Sequence, residues 1–391
     1  MTTQSIPALT LLAHQITPLA SKAMMSADFV LSMILTWATS VGVCFLILAT
    51  TRFHQHTTTD HQVGVQKVHQ GQVPRIGGLA LALALPVAFH DWFGSSQHPL
   101  LTLLSLSVLP AFAFGLIEDC TGKVAVIFRL WATIFSGVLG CVLLDVSIRT
   151  IGIDWINGYL AIPLVSIAFT AFASAGLASS INLIDGLHGL STTVSMAILS
   201  AIGVLAYQQN DGTLTQIVIL INLAILGFWL FNWPWGKLFL GDGGAYLIGF
   251  LIAWMAILLS SRNPAISAFA PLLICAYPII ETLFSIARRI HFKKRMGQPD
   301  QRHLHHLVLF LVKYRLNVSQ RWANALAGIL TSLVCLPPIF LALNTPSDRD
   351  SLMTSFGLMI LGYWALYGFL RFQCKVLAKA SPASDHQVFQ R

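Results

Sequence analysis

Carboxylates and amides stand at the ends of apolar runs three times in the middle of this chain, each time beside glycine or proline. In GLIEDCTGK, Glu118 and Asp119 close one run and Lys123 follows. Adjacent carboxylates can hold a divalent cation, or one can act as a base while the other orients it; a solvated helix terminus is the plain alternative. In SINLIDGLHGL, Asn182 and Asp185 lie three apart, so a helical segment points two oxygen ligands the same way. An Asx-type turn between helices accounts for the same residues. In FNWPWGKLFLGDGGAYLIGF, Asn232 leaves one run and Asp242 opens the next. A helix N-terminus there offers free amides to a carboxylate, or to phosphate through a bound cation, and an N-cap aspartate is the simpler reading. Phe239 can stack on a base or merely pack.

Two further segments carry positive charge. RRIHFKKRMGQPDQRHLHHL combines Arg288, Arg289, Lys293, Lys294 and Arg295 with Arg302, His303, His305 and His306. Guanidinium forks and imidazoles suit the negative oxygens of a diphosphate, although a basic juxtamembrane loop needs the same residues. Zinc is a poor match, since neither an H-E-x-x-H pattern nor a cysteine partner accompanies the histidines. In KVHQGQVPRIGGLAL, Pro74, Gly77 and Gly78 permit a tight entry into the next run, and Arg75 is a candidate phosphate contact.

The elements that must position these residues follow from composition. Hydrophobic residues make up 55% of the 391 and charged ones 10%, where soluble domains carry about 25% charged, so the lipid bilayer is the solvent. Apolar runs long enough to span fall at 29–51, 76–90, 100–117, 130–147, 163–181, 190–207, 216–231, 243–260, 266–287, 323–344 and 352–373. The runs are continuous rather than alternating, which excludes a β-barrel. The expected fold class is therefore all-α, a polytopic integral membrane protein of about 11 transmembrane helices. Residues 1–28 form an N-terminal extension, 29–373 the membrane-embedded domain and 374–391 a tail. The first residues lack a basic n-region and do not read as a cleaved signal peptide.

Nineteen of the 23 lysines and arginines fall on one set of loops and only Lys22, Arg149, Arg262 and Arg349 on the other. The positive-inside bias then predicts a periplasmic N-terminus and a cytoplasmic C-terminus, with all the segments above on the cytoplasmic face. The net charge of +8 is spread between apolar runs rather than gathered in a stripe with interleaved aromatics, which argues against nucleic acid. Six cysteines without CxxC spacing indicate neither a disulfide framework nor a zinc site. A transporter would hold its charges near the bilayer midplane on broken helices, whereas here they stand at helix ends on one face.

PRIGGLA, GLIED, NLIDGLHGL, FNWPWGKLFLGDGGAYLIG and QPDQRHLHHL together resemble, in order and spacing, the polyprenyl-phosphate N-acetylhexosamine-1-phosphate transferase family (WecA/MraY-like, glycosyltransferase family 4). The resemblance implies a Mg²⁺-dependent transfer, with Mn²⁺ a possible substitute, of a sugar 1-phosphate from a UDP-N-acetylhexosamine to undecaprenyl phosphate, releasing UMP. It implies an inner-membrane enzyme that starts cell-surface polysaccharide synthesis, O-antigen or a related glycan. By the same resemblance Asn182 and Asp242 hold the metal, and Asp119, Glu118 and Asp185 form the catalytic acidic set. Asn232, Phe239, Lys123, Arg302, His303, His305 and His306 face the nucleotide and diphosphate, with Arg75 nearby. The chain departs from the family pattern at Glu118, where aspartate is usual, and at His188, where a second aspartate is frequent. HLHH after QPDQR is nearer the GlcNAc-1-phosphate side than the MurNAc-pentapeptide side of peptidoglycan synthesis, whose members usually carry three consecutive histidines. The first expected sugar is GlcNAc. Apolar faces serve lipid and a second copy alike, so a homodimer stays open.

Overall fold

The computed structural model describes residues 26–59, 73–93, 99–293 and 302–380. Most of the expected extension at 1–28 and of the tail at 374–391, together with Lys22, Lys67, Lys294 and Arg295, lies outside the described residues. Among the described residues the structure is helical, without a strand, and the one β-bridge joins Thr59 to Pro74. The helices are α1 (Ala27–Thr58), α2 (Gly78–Phe93), α3 (Pro99–Thr121), α4 (Val126–Leu144), α5 (Asp154–Leu160), α6 (Pro163–Ile184), α7 (Leu190–Gln208) and α8 (Gly212–Asn232). They continue as α9 (Gly241–Arg262), α10 (Phe269–Ile274), α11 (Ala276–His291), α12 (Leu304–Leu316), α13 (Gln320–Ser332), α14 (Leu336–Asn344) and α15 (Arg349–Ala380).

Among the described residues, nine helices are long and apolar enough to cross a membrane. The eleven expected spans map onto these nine and three shorter helices. The run at 76–90 becomes α2, 16 residues with Pro86 inside it. The run at 266–287 becomes α10 and α11, broken at Cys275. Each of these pieces is shorter than the roughly 20 residues of a full crossing. One of the nine spans is itself composite: α13 and α14 are joined through a short 3₁₀ turn just before Pro337 and Pro338.

The centre of the bundle is α9. Nearly every residue from Gly241 to Leu259 is buried, including Phe250 and Trp254, and α3, α6, α7 and α2 pack around it. Lipid gives apolar helices no reason to associate, so close packing through small residues must supply it. A Cβ on Gly115 of α3 would stand 2.6 Å from the Gly243 Cα, which shows how closely the two backbones pass. On α1, the small polar residues Ser32, Thr36, Ser40 and Cys44 form a buried stripe at helical spacing, and the Ser40 hydroxyl donates to the Ala224 carbonyl of α8 at 2.7 Å.

At the end of the bundle away from the acidic motifs, Asp211 caps α8 and accepts two hydrogen bonds from the Arg262 guanidinium, at 2.7 and 2.9 Å. Burial opposes the charge on Asp211, but the Arg262 fork and the Leu214 amide hold its carboxyl below the usual range. This clasp ties the α9 C-terminus to the α8 N-terminus.

Candidate active site

The site is built on the N-terminus of α9. Gly241 enters the helix with φ 75°, a left-handed value, and the Arg75 carbonyl fills the space where a Cβ would lie. The next two amides, of Asp242 and Gly243, donate to the Asp119 carboxylate at 2.8 and 2.9 Å. Asp119 sits in the last turn of α3, so one helix supplies the cap of another. A carboxylate there satisfies free N–H groups and meets the positive end of the helix dipole.

Arg75 is brought in by main-chain pairing rather than by a helix. Phe239 N donates to Pro74 O, Gly77 N to Phe239 O and Gly78 N to Leu240 O, each at 2.9 Å, while Arg75 N donates to Thr58 O at 2.8 Å. These bonds interlock PRIGG with FLGD, more than 160 residues away in sequence. The Arg75 guanidinium then lies 3.8 Å from Asp119 Oδ1 and 3.7 Å from Asp242 Oδ1. Arg129, in the first turn of α4, pairs with Asp242 Oδ2.

The turn between α6 and α7 carries the next residues. Asp185 follows the last helical residue, its N–H on the Asn182 carbonyl at 3.3 Å, and its carboxylate accepts the Ser191 hydroxyl. Burial pushes the Asp185 carboxyl up to about 6, against the opposing effects of the Ser191 hydroxyl and Arg75. The Asn182 side chain is hydrogen-bonded to the Tyr246 hydroxyl of α9. Asn232 uses both ends of its amide locally: Oδ1 accepts from Gly189 N at 2.6 Å and Nδ2 donates to Leu238 O at 2.9 Å. It therefore locks the DGLHG turn to the WPWGKLF loop. Asn324 of α13 fixes the same turn from outside, accepting from His188 N at 2.7 Å. The His188 and Phe239 rings lie 5.9 Å apart.

The histidine segment completes one wall at the start of α12. His303 and His305 are buried with their rings parallel at 5.5 Å, and His306 lies 4.3 Å from His305. His305 packs on Gly186 of the DGLHG turn. Burial, then the neighbouring His306 and His303, hold its imidazole well below the usual range, so it is neutral at pH 7.

The structure thus gathers Arg75, Asp119 and Asp242 in direct contact, and Asp185 within electrostatic reach of Arg75 and Asp119. Glu118 is used differently: its carboxylate accepts from Val124 N at 2.6 Å and closes the turn between α3 and α4. Lys123 stands exposed on that turn. Arg302 is half-buried, with its guanidinium 5.9 Å from the Phe292 ring. Two residues near the cluster escaped sequence reasoning. Arg129 carried a signal, since a cation in the first turn of a helix opposes the dipole and needs a reason. Tyr246, inside an apolar run, carried none.

The donor set suits a hard cation: carboxylates and one amide, with Asp242 Oδ2 buried and its charge met by Arg129. No group of three or more His, Cys, Asp or Glu among the described residues is placed to hold a metal alone.

Residues 101–260 match the model of a family described as "Glycosyl transferase family 4". The chain is 30% identical over 258 residues to a Bacillus subtilis (strain 168) protein named "Probable undecaprenyl-phosphate N-acetylglucosaminyl 1-phosphate transferase", covering 65% of this chain and 70% of that one. It is 26% identical over 283 residues to the "Undecaprenyl-phosphate alpha-N-acetylglucosaminyl 1-phosphate transferase" of Yersinia pestis, covering 69% and 73%. It is 28% identical over 281 residues to the "Decaprenyl-phosphate N-acetylglucosaminephosphotransferase" of Mycobacterium leprae (strain TN), covering 62% and 68%.

Proposed function

The chain belongs to glycosyl transferase family 4, and on that premise we propose that it moves GlcNAc 1-phosphate from UDP-GlcNAc to undecaprenyl phosphate, releasing UMP. The observation that carries this reading is the Asp119 carboxylate on the first amides of α9, with Arg75 spanning Asp119 and Asp242. Such a cluster of fixed charges at a helix N-terminus suits the meeting of two polyanions.

In this reading an oxygen of the lipid phosphate attacks the β-phosphorus of the UDP-sugar. The bond from that phosphorus to the bridging oxygen breaks, and UMP leaves with the electron pair. The sugar's anomeric C–O bond is untouched, so its configuration is retained. Asp242 and Asn182 hold the cation. Mg²⁺, when bound, offsets charge on the diphosphate and makes its phosphorus a better electrophile. Arg75 draws the lipid phosphate toward the cluster, and Arg302 with His306 meets charge growing on the departing UMP. Both oxygens of Asp119 already accept backbone N–H groups, which favours an orienting role over that of nucleophile and hence a direct transfer. Asp185, in the turn between α6 and α7, is a carboxylate suited to exchange a proton near neutral pH. The aromatic loop from Asn232 to Phe239 receives the uracil.

The positive-inside count supports a site facing the cytoplasm of the bacterial inner membrane, where UDP-sugars are made, and a role in the first step of a cell-surface glycan. The test is UMP release by the purified protein. Release from UDP-GlcNAc is expected only with both Mg²⁺ and undecaprenyl phosphate, with a lipid product whose mass includes the sugar phosphate. A burst of UMP without the lipid would replace direct transfer by a covalent route, and no release from any UDP-N-acetylhexosamine would end the proposal.

A further inference from the structure

Beneath the histidine wall lies a buried polar network outside the 101–260 stretch that matches the family model. Its centre is Glu281 of α11, with no solvent exposure. One carboxylate oxygen accepts from His303 Nδ1 at 2.9 Å and from Leu304 N at 3.4 Å, and the other accepts from the Tyr363 hydroxyl of α15 at 2.5 Å. Every partner is a donor, and a fully buried carboxylate is tolerated when it is met in that way. A second set of bonds fixes the chain just before His303. The Arg302 carbonyl accepts from the Arg288 guanidinium and, at 2.9 Å, from the Tyr367 hydroxyl; Arg288 also donates to Tyr367 at 2.9 Å. Two helices that carry none of the acidic residues of the active site thus set both the backbone and one ring of the histidine segment.

A carboxylate that accepts only at Nδ1 fixes which imidazole nitrogen carries the proton, and leaves Nε2 as the polar edge available to a ligand. We propose that Glu281, braced by Tyr363, is a positioning residue that holds His303 in the Nδ1-protonated form, so that its bare Nε2 is an acceptor given to a hydroxyl of the sugar donor. The catalytic half of this inference rests on the proposed phosphoryl transfer, whereas the Glu281–His303 pair stands on geometry alone.

Nitrogen NMR of the full-length protein labelled with ¹⁵N-histidine, with the His303 signals assigned by H303N, tests the pair without any turnover. The expected wild-type result is a protonated Nδ1; a protonated Nε2 with bare Nδ1 would overturn the proposal whether or not the protein transfers sugar phosphate. Removing the acceptor with E281L is expected to shift the ring toward the Nε2-protonated tautomer and to lower kcat about ten- to a hundredfold, the usual cost of losing such an outer partner. KM for the UDP-sugar should change much less. E281Q retains an acceptor oxygen and is expected to restore most of both readouts, while Y363F should give a smaller loss of the same kind. If E281L does not fold, E281Q and Y363F still decide. Wild-type kcat and wild-type His303 signals in Y363F, together with an E281Q no better than an unfolded chain, would reduce Glu281 to a packing anchor. A wild-type protein that releases no UMP but shows the Nδ1-protonated His303 would end the functional reading and leave the pair standing.

Discussion

Asp242 is met by the side chains of Arg75 and Arg129 and, unlike Asp119 and Asp185, by no backbone N–H or hydroxyl donor, so it is the carboxylate whose oxygens are left for a cation to share. D242A should therefore reduce UMP release at least a hundredfold while leaving the helical circular dichroism unchanged, and added Mg²⁺ should not restore it; normal turnover would remove the residue from the metal site. Asp185 makes a pH prediction. With its carboxyl raised to about 6 by burial, it is ionised above that value and protonates below it. If the ionised form works, kcat/KM falls tenfold per pH unit below about 6, and D185N flattens that limb at a level about 10²–10⁴-fold lower. At this scale much was legible in the letters, because acids beside glycines at the ends of apolar runs have few bland uses in combination. What the sequence could not tell was the division of labour. Glu118 and Asp119 are neighbours, yet one closes its own turn and the other reaches across to α9, a difference set by side-chain direction at a helix end.

Among the elements, α9 depends on backbones that pass without side chains between them. In G115A the new methyl would meet Gly243 at 2.6 Å from its Cα, and both partners are backbone, so the helices must separate. The expected cost is about 1–3 kcal/mol of stability, typical of overpacking. A larger proportional loss in kcat should follow, because the Asp119 bonds to Asp242 and Gly243 span the same junction. Thermal melting and UMP release measured together check this, and equal activity at lower stability would contradict it. Hydropathy located nearly every long helix, since each run reports its own burial in lipid. It counted α2 and the α10–α11 pair as full spans, although α2 is 16 residues long with Pro86 inside it and the other run breaks at Cys275 without a drop in hydropathy. The pairing of PRIGG with FLGD left no local trace, because main-chain bonds over such a distance depend on no particular side chain.

On the scale of the whole molecule, the acidic motifs lie at one end of the bundle and the Asp211–Arg262 clasp at the other. The proposed orientation predicts that a single cysteine introduced at Lys237, exposed beside the site, reacts with an impermeant maleimide only in inside-out vesicles. A cysteine replacing Arg149 should label only from the opposite side, and the reverse pattern would invert the topology while leaving the chemistry intact.

The burial of α9 has a further consequence, for how such a protein can diversify. The residues proposed to act on phosphorus gather at the N-terminus of α9, where a Cβ on Gly78, Gly115 or Gly241 would collide with another backbone. The aromatic loop instead carries exposed residues, Trp235 and Lys237, on a frame tied down through Asn232. A lineage can therefore exchange what it recognises by altering loop tips while inheriting the reaction unchanged, much as a fixed press accepts different dies.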